Sequence, residues 1–424
     1  MKVVVQKQKT PLKGIIEIPS DKSISHRAAI IASLTKQKIN IHNFSKGADC
    51  RTTLGVIQHL GCLINVKSER NIVIDATQAL RAPQITLDCA NSGTTMRLMA
   101  GVLAGQNFNS KLIGDESLSK RPMKRIIEPL TNMGAHIVHN NFKAPLIIEG
   151  RSLSAIDYKS FISSAQIKSS ILLAGLFADG ITSIEEPFKS RNHTELMLEY
   201  LGADIKVEKN RVSIQKSVFE PKDIYIPGDI SSAAFFIVAA LIIPDSVIIL
   251  KNVGMNPTRT GLIDVLKQMG ADIEILSLKF SCNEAVADIK VKHSDLQAVT
   301  IDNSIIPRLI DEIPILAVAA TQAKGTTVVK GAEDLRHKES DRIKAMTVEL
   351  RKMGADIQET EDGFIINGKT ELDGNAEINC YHDHRIAMST YIAGMICSSP
   401  VVINEFDWIG ISFPEFEQLM SELI

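Results

Sequence analysis

A polar segment near the start of the chain has the composition of an anion-binding helix start. Ser20 or Asp21 is a natural N-cap residue, because its side-chain oxygen can accept a hydrogen bond from a free backbone N–H group. Lys22 and Ser23 follow in the first turn, and Arg27 lies one turn beyond Ser23 on the same face. Since a helix N-terminus is partially positive, these side chains would complete a cradle for phosphate or carboxylate. The alternative is a solvated cap, which must accept cations that oppose the helix dipole.

Further polar segments follow along the chain. Residues 91–98 combine hydroxyl and amide groups with Gly93, which lets a ligand approach the backbone. Residues 163–170 repeat the hydroxyl-rich pattern around a Lys, whereas residues 228–232 have no cation and indicate only a cap or a hinge. Alone, each segment is a weak signal, because Ser and Gly also begin ordinary helices.

Charged residues concentrate in three more segments. Residues 119–123 are predicted in a loop, and residues 335–342 and 381–388 where a loop becomes a helix. Such runs usually form solvated surfaces. All of the polar and charged segments, however, fall at corresponding ends of repeated units, and a ring of such ends could surround a single polyanionic ligand.

Five glycines mark the repeated units that would position these segments. A hydrophobic residue, Gly, a small residue, any residue and Ile recur around positions 61, 134, 202, 270 and 354, which are 73, 68, 68 and 84 residues apart. An amphipathic stretch with helical spacing precedes each glycine. Glycine here predicts a helix end, because it adopts the left-handed C-cap conformation without a Cβ clash.

Short β-branched runs precede these helices. Markers in six such runs, from Ile41 to Ile403, are 66 to 79 residues apart, which predicts six units of about 70 residues. Each unit has the order strand–helix–strand with a second helix, so the fold class is α/β. The sixth unit lacks its closing helix and glycine, and the chain begins inside the unit that its end would complete. The alternative, unrelated α/β loops that share a glycine cap, does not account for five near-copies.

The composition is that of an ordinary globular protein. Of 424 residues, 45% are hydrophobic and 23% charged, which excludes disordered and collagen-like classes. The net charge of −2 argues against a dedicated nucleic-acid binder. The longest apolar run, 233–243, is shorter than the roughly 20 residues of a membrane-spanning helix, and no signal-peptide core follows Met1. We expect a cytoplasmic protein without nucleic-acid or membrane partners.

The six cysteines do not form a metal or redox motif. No pair has C-x-x-C spacing, and in so long a chain buried thiols are favoured over a disulfide framework. A reactive thiol at Cys50 or Cys89, near the polar segments, is the less favoured alternative. We expect no metal and no cofactor.

Seven motifs in order along nearly the whole chain resemble those of the 5-enolpyruvylshikimate-3-phosphate (EPSP) synthase family. Together they are highly specific, although none would suffice alone. The matching segments are DKSISHRA at 21–28, NSGTTMRL at 91–98, KRPM at 120–123, SSAQIKSS at 163–170, DEIP at 311–314, HKESDR at 337–342 and DHRIAM at 383–388.

The resemblance implies an architecture of two lobes, each made of three repeat units, with the active site in the cleft between them. In the family, the parallel helices of each lobe point their N-termini into this cleft. Here we expect lobe one to comprise residues 21–228, and lobe two residues 1–20 and 229–424.

The resemblance also implies a reaction. The family transfers the enolpyruvyl group of phosphoenolpyruvate to the 5-hydroxyl of shikimate 3-phosphate and releases phosphate, by addition and then elimination. This chemistry needs a general base, a general acid, and cations for two phosphates and two carboxylates. By resemblance, Asp311 is the base, Glu339 relays a proton, and Lys22 lies where both substrates meet. An alternative for Asp311 and Glu312 is a charge pair at a helix start.

The remaining substrate contacts are assigned by the same resemblance. Those for shikimate 3-phosphate are Lys22, Ser23, Arg27, Ser163, Ser164 and Gln166, with Ser190, Arg191 and Lys338 as weaker candidates. Those for phosphoenolpyruvate are Asn91, Gly93, Arg121, Arg342 and Arg385, and His384 is a further substrate-binding candidate.

The chain departs from the family at one position. Some members have a Lys before the C-terminal Ser/Thr-Phe-Pro that contacts phosphoenolpyruvate, and Ile411 stands there here. Many members are also inhibited by glyphosate, which occupies the phosphoenolpyruvate pocket, so sensitivity is expected.

Two other functions compete with this one. UDP-N-acetylglucosamine enolpyruvyl transferase uses a catalytic Cys in the loop that corresponds to 115–121, and this chain has none there. A non-catalytic scaffold that binds anions would not need Asp311 and Glu339. We expect a monomer.

Overall fold

The computed structural model describes all 424 residues of the chain. Its α-helices are α1 (Lys22–Ala32), α2 (Ala48–His59), α3 (Gly93–Ala104), α4 (Glu116–Lys120), α5 (Lys124–Asn132), α6 (Ala165–Gly175), α7 (His193–Tyr200), α8 (Ile230–Ile242), α9 (Gly261–Gln268), α10 (Ile313–Thr321), α11 (Arg342–Lys352), α12 (His384–Gly394) and α13 (Phe416–Ser421). Short 3-10 helices span Ile306–Arg308, Glu333–His337 and Phe406–Ile411. No helix is both long enough and apolar enough to cross a membrane.

The β-strands are short and numerous. They are β1 (Val3–Val5), β2 (Lys13–Glu17), β3 (Lys38–His42), β4 (Leu63–Val66), β5 (Ile72–Asp75), β6 (Leu87–Asp88), β7 (Asn109–Ile113), β8 (His136–Asn140), β9 (Lys143–Glu149), β10 (Leu153–Ser154), β11 (Asp157–Lys159), β12 (Ala178–Asp179), β13 (Thr182–Glu185), β14 (Ile205–Glu208), β15 (Arg211–Ile214), β16 (Ile224–Tyr225), β17 (Val247–Gly254), β18 (Asp272–Ser281), β19 (Glu284–Lys292), β20 (Thr300–Ile301), β21 (Gly325–Val329), β22 (Asp356–Thr360), β23 (Gly363–Gly368), β24 (Ala376–Ile378) and β25 (Val401–Ile403).

The chain divides into two compact units. Unit one consists of residues 20–226 and 281–284, and unit two of residues 1–19, 227–280 and 285–424. The sequence places the two boundaries one and two residues later, and it assigns residues 281–284 to the other lobe. Their contacts with the rest of unit one include Glu284 Oε1 to His193 Nδ1 at 2.6 Å and Tyr225 N to Cys282 Sγ at 3.2 Å.

Each unit contains three main β-sheets, so the predicted α/β class with six repeated units is confirmed. The strand orders in unit one are β16-β3-β5-β4, β6-β7-β9-β8 and β11-β13-β15-β14, beside the small pair β10-β12. Those in unit two are β18-β19-β17-β2, β20-β21-β23-β22 and β1-β25-β24. In five of the six main sheets a strand is followed by one or two α-helices and then by the hairpin that completes the sheet.

The sheet β1-β25-β24 contains both the first and the last β-strand of the chain. The first strand pairs antiparallel with the last, with Val3 opposite Ile403 and Val5 opposite Val401. This pairing confirms that the chain begins inside the unit that its end completes.

The five repeated glycines end their helices as predicted. All five have positive φ, between 84° and 106°. In each case the residue after the glycine donates to the carbonyl five residues back, as Ala271 N does to Leu266 O at 2.9 Å. This is the Schellman arrangement, which satisfies carbonyls that have no partner within the helix.

Each unit has its own hydrophobic core, and the helices that begin at polar segments run through it. Every residue of α8 is buried, which accounts for the apolar run 233–243. In unit one, α3 and α6 approach closely at Gly101, where an added Cβ would lie 2.1 Å from Ser170 O. The helix starts are therefore held by tight packing behind them.

The cysteines are free thiols, and all but Cys282 are buried. Burial raises the pKa of Cys50 to about 12 and also raises that of Cys89. The reactive-thiol alternative is therefore wrong for both, because only the thiolate is a strong nucleophile.

Candidate active site

The first polar segment forms the start of α1 in unit one. Asp21 is its N-cap, and Asp21 Oδ1 accepts a hydrogen bond from Ile24 N at 2.8 Å. The adjacent Lys22 ammonium lies 2.5 Å from the carboxylate of Asp49, in the first turn of α2. The Lys22 cation is thus placed at the helix start, beside a carboxylate that an anionic ligand would have to replace.

Arg27 is fixed before any ligand binds. Its guanidinium donates to Ser23 O at 2.9 Å, to Thr194 Oγ1 at 2.7 Å and to Ser169 Oγ at 3.0 Å. The side chain is only 4% exposed. These partners lie on α1, α6 and α7, so three helices set the position of a single cation.

A second cluster surrounds the start of α3. Arg121 donates to Asn91 Oδ1 at 2.9 Å, and Asn91 donates to Asp115 Oδ2 at 2.8 Å. The structure corrects the loop predicted over 119–123, because α4 extends to Lys120. Arg121 follows this short helix directly, and the helix aims the guanidinium at Asn91.

Gly93 stands in the middle of this cluster. An added Cβ would lie 2.8 Å from Arg97 Nη1 and 3.4 Å from Arg121 Nη1. Arg97 Nη1 donates to Gln166 Oε1 at 2.8 Å, which ties the start of α3 to that of α6. A methyl group at this position would require the Arg97 guanidinium to shift and would touch that of Arg121.

The third polar segment, at the start of α6, faces a neighbouring loop. The Ser163 hydroxyl bonds both the carbonyl and the amide of Phe188, at 2.7 and 3.0 Å. Ser164 is the N-cap residue of α6. Ser190 is buried in the loop that precedes α7, and Arg191 follows it with partial exposure.

Lys168 in this segment is not an anion-binding cation, contrary to what its place in the polar segment suggests. Its side chain is 1% exposed, and its ammonium lies 2.8 Å from each of the carboxylates of Glu186 and Glu195. Burial alone would lower the pKa of Lys168, but these two charges raise it. No spacing pattern in the sequence indicates this cluster, because Glu186 and Glu195 lie 18 and 27 residues after Lys168.

Unit two contains a cluster of opposite charges around Arg342. This guanidinium donates to Asp383 Oδ2 at 2.8 Å, to Glu339 Oε2 at 2.7 Å and to Asp311 Oδ1 at 3.3 Å. Burial alone would lower the pKa of Arg342, but the three carboxylates raise it. The predicted base and the predicted proton-relay carboxylate thus share a single buried cation.

Asp383 is a member of this cluster that the sequence analysis did not single out. It is 0% exposed and caps α12, accepting from Arg385 N at 2.9 Å. Although burial alone would raise the pKa of Asp383, Arg342 holds it below the usual value. An Asp directly before a charged helix start is an N-cap signal that could have identified it.

The remaining cations of unit two also lie near Asp311. Arg385 donates to Asp311 O at 2.8 Å, and the Lys338 ammonium lies 3.5 Å from Asp311 Oδ1. Glu312 is the N-cap residue of α10, so the alternative of a helix-start pair is partly right. His384 is buried, and Ile411 ends the 3-10 helix Phe406–Ile411.

Each unit thus presents guanidinium and ammonium groups beside hydroxyls and helix N-termini. This combination binds phosphates and carboxylates. Unit two adds two partly exposed carboxylates, Asp311 and Glu339, which can take up and release protons.

Comparison with known proteins agrees with this chemistry. The enolpyruvyl transferase NikO from Streptomyces tendae superposes on the whole chain with a TM-score of 0.81 at 14% identity, covering 97% of that protein. The fold is therefore that of the enolpyruvyl transferases.

Closer relatives define the family. The family model for EPSP synthase (3-phosphoshikimate 1-carboxyvinyltransferase) matches residues 6–420. The 3-phosphoshikimate 1-carboxyvinyltransferase of Petrotoga mobilis is 49% identical over 424 residues, covering 98% of each chain. An EPSP synthase structure from Acinetobacter baumannii has a TM-score of 0.89 and 41% identity, and the match covers 100% of this chain and 98% of that one. The chain belongs to the EPSP synthase family.

Proposed function

We propose that this chain transfers the enolpyruvyl group of phosphoenolpyruvate to the 5-hydroxyl of shikimate 3-phosphate. The observation that carries the proposal is the Arg342 cluster, where Asp311 and Glu339 lie beside cations suited to an anionic substrate. Binding alone would not need these carboxylates, since each adds negative charge to a site for anions.

Asp311 would accept the proton of the attacking hydroxyl, and Glu339 would relay a proton to the methylene carbon of phosphoenolpyruvate. The hydroxyl oxygen bonds to C2 as C3 takes up the proton. The tetrahedral intermediate then loses phosphate from C2 and returns a proton from the C3 methyl to the carboxylate that relayed it, which restores the double bond. Lys22 would stabilise the charge that develops where the two substrates meet.

The substrate contacts are proposals too. For shikimate 3-phosphate we assign Lys22, Ser23, Arg27, Ser163, Ser164, Gln166, Ser190, Arg191 and Lys338. For phosphoenolpyruvate we assign Asn91, Gly93, Arg121, Arg342 and Arg385. Because His384 is buried, we assign it to the support of its neighbour Arg385.

A phosphate-release assay tests this function. The enzyme is given phosphoenolpyruvate with either shikimate 3-phosphate or UDP-N-acetylglucosamine as the acceptor. We expect release only with shikimate 3-phosphate. Release with the nucleotide sugar would favour the sister enzyme, and no release with either would favour an anion-binding scaffold.

We also propose that a single chain is sufficient for activity, because one chain supplies every residue assigned to both substrates. Sedimentation velocity at increasing protein concentration, combined with activity per chain, tests this. Activity that rises with association would contradict it.

A further inference from the structure

Three charged side chains form a buried cluster in unit one that the proposed mechanism does not use. Lys168 on α6, Glu186 after β13 and Glu195 on α7 have side chains 1%, 1% and 3% exposed. The Lys168 ammonium lies 2.8 Å from Glu186 Oε2 and 2.8 Å from Glu195 Oε1. Burying charges is costly, and apolar side chains of similar size would often be at least as stabilising. The cluster therefore calls for a role other than stability.

Glu186 has contacts that suggest such a role. Its Oε1 accepts from Ser164 N at 2.9 Å, and its Oε2 accepts from Ser190 Oγ at 2.9 Å and from Ser190 N at 3.3 Å. One carboxylate thus connects the start of α6 with the loop before α7. Both serines are assigned above to shikimate 3-phosphate.

Lys168 holds this carboxylate in place, and Glu195 pairs with Lys168 rather than with Glu186. Lys168 also donates to Ser190 O at 3.3 Å, so it fixes the same loop from a second side. Glu195 follows Thr194, which accepts from Arg27 Nε at 2.7 Å. Through Lys168, the two serines are connected to the helix that also orients Arg27.

We propose that Glu186 is a positioning residue for shikimate 3-phosphate: it sets Ser164 and Ser190 at a fixed separation before the substrate arrives. This inference rests on the proposed function of the two serines. Preorganised groups bind more tightly because the entropic cost of ordering them has already been met in the folded chain. Without Glu186, the serines would have to be ordered by the substrate.

The test compares Glu186→Gln with Glu195→Gln in the full-length enzyme. Both substitutions remove one carboxylate from Lys168, but only Glu186 contacts the serines. In Glu186→Gln an amide N–H₂ group would face donors on Lys168 and Ser190. We expect the KM for shikimate 3-phosphate to rise by about tenfold or more, as expected when hydrogen bonds to a charged group are lost. The KM for phosphoenolpyruvate and kcat should change far less.

Glu195→Gln is the matched control, for which we expect a rise in the KM for shikimate 3-phosphate of less than about threefold. An equal rise in both variants would overturn the proposal, because the charge of the cluster would then matter rather than the contact with the serines. An unchanged KM in Glu186→Gln would overturn it as well, even if thermal stability falls.

A second variant covers the case in which Glu186→Gln does not fold. Glu186→Asp keeps the charge beside Lys168 but is one methylene too short to reach both serines. This variant should fold and should raise the KM for shikimate 3-phosphate. A wild-type KM for this substrate would overturn the proposal. Failure of the proposed function is distinguishable, since the wild-type enzyme itself would then show no turnover with shikimate 3-phosphate.

Discussion

Asp311 differs from an ordinary surface carboxylate in that two cations lie close to it. Arg342 and Lys338 lie 3.3 and 3.5 Å from its Oδ1. An anionic substrate would compete for the same cations, which would release Asp311 toward the hydroxyl.

Asp311→Asn keeps the size of the side chain but removes its ability to take a proton. We expect turnover to fall by about 10²–10⁴-fold, the usual effect of losing a general base. Binding of shikimate 3-phosphate, measured by calorimetry, should survive. A near-normal turnover would remove Asp311 from the mechanism.

Gly93→Ala tests whether Gly93 is a wall of the proposed phosphoenolpyruvate pocket. The new methyl would crowd Arg97 and Arg121, whose Nη1 atoms are 2.8 and 3.4 Å from its position. Glyphosate is slightly longer than phosphoenolpyruvate, and tightly packed sites respond to a single methylene. We therefore expect the inhibition constant for glyphosate to rise strongly and the KM for phosphoenolpyruvate to rise less.

The measurement is the ratio of these two constants in the wild-type enzyme and in Gly93→Ala. If Gly93 only shapes the start of α3, both constants should worsen together and the ratio should stay constant. Such a result would show that Gly93 does not discriminate between the two ligands.

At the scale of elements, the sequence predicted what depends on local chemistry. The five glycine caps could be found because φ and the Schellman bonds involve residues within six positions of one another. The N-cap at Asp383 is of this local kind, but the ion pairs of Lys168 and Asp383 could not be predicted in this way. Whether a Lys at a helix start faces a ligand or a buried Glu depends on residues from other elements. The spacing of residues along the sequence does not identify these partners.

Gly270→Ala isolates the contribution of one such cap. Gly270 has a φ of 94°, and the nearest atom to an added Cβ, Asp295 O, is 3.7 Å away. The cost is therefore conformational rather than steric, and we expect a loss of about 1–2 kcal/mol in the free energy of unfolding. Gly55 on α2 is the matched control, because nothing lies within 4 Å of an added Cβ there. Gly55→Ala should be neutral or stabilise, and an equal loss in both variants would contradict the role of φ.

A row of buried polar side chains joins α1, α2 and α3. His26 Nδ1 lies 2.6 Å from Thr53 Oγ1, and Thr53 Oγ1 lies 2.7 Å from Thr95 Oγ1. Burial lowers the pKa of His26 well below its usual value, and the charges of Lys22 and Arg27 lower it further. The folded chain therefore favours the neutral imidazole.

This preference makes stability depend on pH. Below about pH 6.5 the unfolded chain binds a proton at His26, whereas the folded chain keeps the imidazole neutral. The stability that the neutral His26 contributes is fully present above that pH. It is lost as the pH falls, by up to about 1.4 kcal/mol of the free energy of unfolding per pH unit. Urea unfolding between pH 7.5 and 5.5 should show a steeper loss in the wild-type protein than in His26→Gln. Parallel curves would show that His26 does not cause the loss.

At the scale of the whole molecule, the chain order is unusual, since the first 19 residues belong to unit two and the next 207 to unit one. The N-terminal residues supply β1 and β2, which pair with β25 and β17. The incomplete sixth repeat in the sequence predicted that the start of the chain would complete the unit at its end. The sequence could not predict that residues 281–284 group with unit one, because their contacts there, such as Glu284 with His193 and Cys282 with Tyr225, are tertiary.

Removal of residues 1–5 tests whether β1 stabilises unit two. The deletion exposes the edge of β25 and removes Val5, which is 4% exposed and belongs to the core of unit two. Loss of one buried Val side chain alone should cost about 1.5–3 kcal/mol. Trp408 is the only tryptophan of the chain and lies in unit two, so its fluorescence reports on this unit.

We expect the midpoint of urea unfolding, measured by this fluorescence, to fall in the truncated chain. Val4→Thr is the control, since Val4 is 59% exposed and β-branched Thr suits a strand. A truncated chain with the wild-type midpoint would show that unit two is complete without its first strand.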